Sequence, residues 1–180
     1  EDGSKADQDS VVCFMLALKF LAAFAVTCGP VDQTHEYLAY LQRVFRSGGR
    51  MSKSWSAADA REVVGVAASS VLRIACEREL DAHISPALFH ELAWTVHDAD
   101  DEAAALAVLR DLERRTLQLP IRFMCLAVLA CHNGASSVRS EAHKVLSNMI
   151  QMKRRWMASL LPKAGNDQTK ERLIRGFGLP

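Results

Sequence analysis

The sequence predicts an all-α protein, a row of about seven to eight helices folded as antiparallel pairs, and three observations carry that reading. Apolar residues recur at helical spacing along most of the chain, and runs of alternating β-branched residues are missing. The connectors between periodic segments are short, roughly two to five residues, so successive helices fold back as hairpins. Composition agrees: of 180 residues 49% are hydrophobic and 7% aromatic, enough for one ordinary core or a short stack of helical repeats. With 22 Lys and Arg against 21 Asp and Glu, no overall field drives the chain onto nucleic acid or an anionic membrane, and any such contact is local and weak.

The elements follow in order. Residues 1–9 are expected as a flexible connector, and Glu1, Asp2, Asp7 and Asp9 put acid where a secretory signal carries basic residues. The first helix runs from Ser10 to Thr27 and ends at Gly29-Pro30. Its apolar core, Val11 to Val26, holds Lys19 and falls short of the roughly 20 apolar residues of a span, so it is expected to be buried in protein, with no membrane partner. A second helix, from Asp32 to Arg46, carries Leu38, Leu41, Val44 and Phe45 on one stripe and stops at Ser47-Gly48-Gly49. Ser56 is the N-cap of a third, reaching Glu77. Ser85-Pro86 opens a fourth, because proline at the first helical position gives up no hydrogen bond.

Asp98 to Asp101 forms an acidic turn into a fifth helix carrying Leu106, Leu109, Leu112 and Leu117. Pro120 starts a sixth, Ile121 to Cys131, whose nearly unbroken apolar run predicts burial on most sides. In the seventh, Val138, Ala142, Val145, Met149, Met152 and Trp156 form one continuous apolar face. Pro162 and Gly165 end the repeat segment, 10–165, and Lys170 to Phe177 predicts a short last helix in the tail, 166–180. Apolar pairs begin near Ser56, Ala99 and Ala135, a period of roughly 36 to 43 residues that matches a HEAT/armadillo-like α-solenoid. A closed bundle is the alternative, since periodicity fixes faces and not the superhelix.

From Ser56 to about Met157 the chain resembles the HEAT-repeat region of a known family. The matching residues are Ala67-Ala68-Ser69-Ser70-Val71-Leu72-Arg73-Ile74-Ala75, His83-Ile84-Ser85-Pro86-Ala87-Leu88-Phe89, Val96-His97-Asp98 and Leu119-Pro120-Ile121-Arg122-Phe123-Met124. The long helix follows with Ala142, Leu146, Ile150 and Lys153-Arg154-Arg155. Their order and spacing resemble the cohesin-associated family named for precocious dissociation of sisters. The chain departs from that pattern at Arg139 to Lys144 and at Ala103-Ala104. The resemblance implies a nuclear, chromatin-associated regulator of sister-chromatid cohesion. It further implies a scaffold that docks on the kleisin subunit of cohesin and cooperates with the release factor Wapl and the acetyltransferase that establishes cohesion.

The residues themselves favour binding over catalysis, and no cofactor is expected. His90 and His97 stand two turns apart, about 10 Å along a helix, too far for paired metal ligands. Cys125, Cys131 and His132 fit no zinc spacing, and Cys13, Cys28, Cys76, Cys125 and Cys131 read as reduced core residues of a cytosolic or nuclear protein. Gly48-Gly49 lacks the Lys-Ser/Thr of a phosphate loop. The candidate partner-binding residues are cationic: Arg110, Arg114, Arg115 and Arg122 near the fifth and sixth helices, and Lys153, Arg154 and Arg155 on the seventh. They form either a ridge for an acidic peptide or phosphate, or a solvated face balanced by Asp111, Glu113 and Glu141. Trp94 and Trp156 continue apolar stripes into the core, leaving Trp55 in the polar linker as the exposed anchor. Beside the cohesin scaffold stand a generic HEAT/armadillo adaptor unrelated to chromosomes and, third, a helical metal or thiol enzyme.

Overall fold

The computed structural model describes residues 2–160, so the tail 166–180 and its expected helix lie outside the described residues. The fold is all-α, without strands among those residues. The helices are α1 (Asp2–Thr27), α2 (Val31–Arg46), α3 (Ala57–Ala75), α4 (Arg78–Asp81), α5 (Pro86–His97), α6 (Glu102–Arg114), α7 (Met124–Ala130) and α8 (Ser136–Leu160). Short 3-10 turns at Ala99–Asp101 and Ile121–Phe123 lead into α6 and α7.

The predicted boundary chemistry is visible at each junction. After α2 the amide of Gly48 bonds to the Phe45 carbonyl at 2.7 Å and that of Gly49 to Val44 at 2.9 Å, closing the helix with both glycines at positive φ. A Cβ on Gly49 would sit 2.0 Å from the Ala60 carbonyl oxygen, so α2 and α3 meet there backbone to backbone. At the start of α3 the Ser56 hydroxyl accepts from the Asp59 amide at 3.1 Å, and the Asp59 carboxylate accepts from the Ser56 amide at 3.0 Å. Ser85 caps α5 with its hydroxyl alone, accepting from the Leu88 amide at 3.1 Å.

The packing sorts the helices into two rows, α1, α3, α6 and α8 in one and α2, α5 and α7 in the other. Each connector crosses between rows, so helices sharing a row point the same way. Polar rungs give the register of the first row. The Ser69 hydroxyl donates to the Asp111 carboxylate, 42 residues on. Ser137 donates to Glu102, and the Asn148 amide to Glu113 at 2.5 Å, each pair separated by 35 residues. This offset is the repeat period seen as geometry, and the arrangement is that of a solenoid-like stack. The tight hairpins are α2/α3, α5/α6 and α7/α8, one helix out of phase with the pairs expected from Ser56, Ala99 and Ala135. Periodicity marks a covered face without saying which neighbour covers it.

One core runs between the rows, from Leu18 and Leu41 through Leu72 and Leu92 to Phe123, Leu126 and Met149. Polar side chains stitch its ends. Buried Asn133 donates to the carbonyls of Val96 (3.0 Å) and Asp98 (2.9 Å) and accepts from Ala135 (2.8 Å), tying the end of α5 to the α7/α8 turn. The buried Tyr37 hydroxyl donates to the Leu18 carbonyl at 2.6 Å, tying α2 to α1. Burial pushes that phenol up to about 12.

Several expectations are corrected. α1 begins at Asp2, since no proline breaks the residues before Ser10. It is also not a buried helix. Gln8–Thr27 is long and apolar enough to cross a membrane by length and composition, with 28% of the residues in its apolar window buried. Val11, Met15, Leu18, Ala22 and Ala25 face the core, while Leu16, Phe20 and Leu21 are exposed. Among the described residues α1 stands at the outside of its row, packed against α3 and α2 with no further helix on its other side. The sixth predicted helix is likewise one-sided, with Ile121, Cys125 and Val128 exposed, and Leu117 lies past the end of α6 in solvent. None of the five cysteines is fully buried; Cys13, Cys28 and Cys125 are exposed. The apolar runs that hold them cover helix faces turned both inward and outward. The short helix α4 was not expected.

Candidate functional site

The seven cationic residues singled out above do not form one ridge. Arg122 turns back to α4, where it bonds the carbonyl and carboxylate of Asp81 and lies over the Phe123 ring at 5.3 Å. Arg115 is mostly covered, 4.0 Å from Asp111, and Arg114 reaches the same carboxylate at 3.5 Å. The Lys153 ammonium donates to the Leu119 carbonyl at 3.0 Å and lies over Trp156 at 5.8 Å; its partial burial pulls its pKa down. Arg110, Arg154 and Arg155 are exposed and have no ion-pair partner among the described residues. The structure therefore divides the set into Arg122 and Lys153, tied to other segments, Arg114 and Arg115, paired with Asp111 on their own helix, and Arg110, Arg154 and Arg155, which remain available.

Around Arg110 the surface is concave. A groove of about 580 Å³ runs between α3 and α6, its floor made by Ala58, Gly65 and Val66 on one side and Ala103, Ala104 and Ala107 on the other. The small residues keep it open, since α3 supplies Ala58, Gly65 and Ser69 and α6 supplies Ala103, Ala107, Arg110 and Arg114 along matching lines of the two parallel helices. Lys19 of α1 and Arg61 of α3 complete a cationic rim. Of the two acids that line it, Asp111 is occupied by Ser69, Arg114 and Arg115, while Glu62 has no ion-pair partner among the described residues. Sequence reading missed Arg61 and Lys19 because they lie far from Arg110 along the chain and meet it only through the row register.

The tryptophans are placed opposite to expectation. Trp94 is 59% and Trp156 43% exposed, whereas Trp55 packs edge-on against Phe14 with ring centres 5.1 Å apart. The apolar stripes of α5 and α8 run past the edge of the core, and the linker at Trp55 folds beneath α1.

His83 stacks edge-on with His35 at 4.3 Å, while His90 and His97 are exposed on α5. Cys131 lies 3.7 Å from His143, but burial pushes the Cys125 and Cys131 thiols up, which disfavours the reactive thiolate. Among the described residues no three His, Cys, Asp or Glu side chains come together as a metal-holding group.

Compared with known families, residues 4–175 match the family described as sister chromatid cohesion protein PDS5. No curated protein and no solved structure matches the chain.

Proposed function

Because the chain belongs to the family of the sister chromatid cohesion protein PDS5, we propose that it is a non-catalytic scaffold segment that binds the kleisin subunit of cohesin. The family is one of regulatory scaffolds and gives the chain a role in sister-chromatid cohesion with partners in the cohesin complex. Kleisin is the finer reading, with cohesin release and establishment factors as further partners and chromatin in the nucleus as the place of action. The family match over 4–175 carries this reading. It is supported by a two-row helical stack whose polar side chains act as rungs and caps, leaving long outer surfaces as the available chemistry.

The test is a binding measurement between the purified chain and a kleisin fragment at physiological salt. Stoichiometric binding that weakens about tenfold when Arg110 and Arg154 are reversed to glutamate supports the proposal. Kleisin that fails to bind, while other helical-adaptor ligands do, favours the generic adaptor instead.

A further inference from the structure

We infer that the α3–α6 groove is a seat for an acidic amphipathic helix, laid lengthwise with a stripe of small side chains against the groove floor. The inference rests on the proposed cohesin role only for the choice of natural probe.

Length, charge and hydrogen-bonding capacity point to the same occupant. The groove is bounded by Ala58 to Ser69 on α3 and by Ala103 to Arg114 on α6, about three helical turns or roughly 16 Å. Its floor is alanine, glycine and valine, so two backbones already approach closely and a third helix can lie between them at ordinary packing distance. A Cβ built on Gly65 would stand 3.6 Å from the Ala107 Cβ, which shows how little side chain separates α3 from α6. Such a floor offers no donor or acceptor to a bound main chain. An extended peptide pressed on it would leave its own amides and carbonyls unpaired, whereas a helix satisfies them internally.

The rim selects the charge. Lys19, Arg61 and Arg110 line the groove with no ion-pair partner among the described residues. Asp111 is already held by Ser69 and by Arg114, which leaves Glu62 on the rim and Asp101, close enough to feel Arg61, as the acids that oppose them. A partner with carboxylates flanking its small-residue stripe supplies the missing counter-charges on both sides.

The experiment uses the full chain and two kinds of labelled probe: peptides tiling the kleisin subunit, and a synthetic helix with alanines on one face and glutamates beside them. Fluorescence anisotropy reads affinity and circular dichroism reads peptide helicity. The expected result is that the acidic probes bind and gain helicity. Affinity then falls about tenfold or more in Arg61→Glu with Arg110→Glu, and is abolished in Ala58→Trp. Ala58 is solvent-exposed, so its tryptophan fills the groove without entering the core. Kleisin peptides that bind these variants as tightly as the parent, or that bind without gaining helicity, overturn the groove while leaving the kleisin reading intact. Binding by the synthetic helix alone, with the expected loss in the variants, sustains the groove and removes kleisin as its occupant. Binding by neither probe overturns the inference.

Discussion

α1 and α8 are the outermost helices of the first row among the described residues, yet their outward faces have little in common. α8 turns Ser140, Lys144, Ser147, Gln151 and Arg154 to solvent, and Val138, Ala142, Val145 and Met149 inward with no exposure. α1 buries an equally regular stripe but shows Val12, Leu16, Phe20 and Phe24 on the other side. Hydrophobic pattern thus locates α8 in the fold from Val138 to Met149, though its stripe runs on to the exposed Trp156. For α1 it reports how many faces are apolar, which is a different quantity from how many are covered.

The sharpest way to probe this difference is to truncate one residue from each stripe. Leu18→Ala and Met149→Ala should each cost about 2–5 kcal/mol in denaturant unfolding, whereas Leu16→Ala, two residues from Leu18, should stay within about 0.5 kcal/mol. A large loss at Leu16 would show that its face is covered after all.

A smaller effect separates the two sides by pH. Tyr37 clasps α1 through the Leu18 carbonyl, and its phenol is raised from 10.0 to about 12. In the unfolded chain the phenol ionises near pH 10, while the folded protein holds its proton. The clasp's contribution is therefore complete below pH 10 and is lost between pH 10 and about 12. Hydrogen exchange should show α1 amides opening across that window, and Tyr37→Phe, costing about 1 kcal/mol, should remove this dependence. An unchanged profile in Tyr37→Phe would assign the effect to another group.

Smallest of all is the stability change from Phe20→Ser, within about 0.5 kcal/mol. Its readout is concentration-dependent association by light scattering, which should diminish because Phe20, at 67%, is the most exposed large hydrophobic side chain of α1 among the described residues. The matching change on α8, Ser147→Phe, should increase association.

Much of the fold was legible because its punctuation is chemical. Ser56, Ser85-Pro86 and Gly48-Gly49 mark their boundaries through side-chain caps and positive φ, both local properties. The period of 36 to 43 residues reappears as rungs offset by 42 and 35. Illegible features depend on neighbours: the phase of the hairpins, the one-sided burial of α1 and α7, and the reversal of Trp55 with Trp94. The site divides the same way. Arg110 was readable as an exposed cation, but the capture of Arg122 by Asp81, 41 residues earlier, and the approach of Arg61 arise only from packing.

The parallel alignment of the first row has an electrostatic consequence. Helices that point one way bring their carboxyl ends to one rim, and each end presents about half an elementary negative charge. Arg73 lies in the last turn of α3 and Arg114 in that of α6, followed by Arg115 at its C-cap. Part of their positive field is consumed by the helices beneath them, so an approaching carboxylate experiences less attraction there than a count of arginines implies. Arg110, one turn further back, keeps more of its field for a visitor.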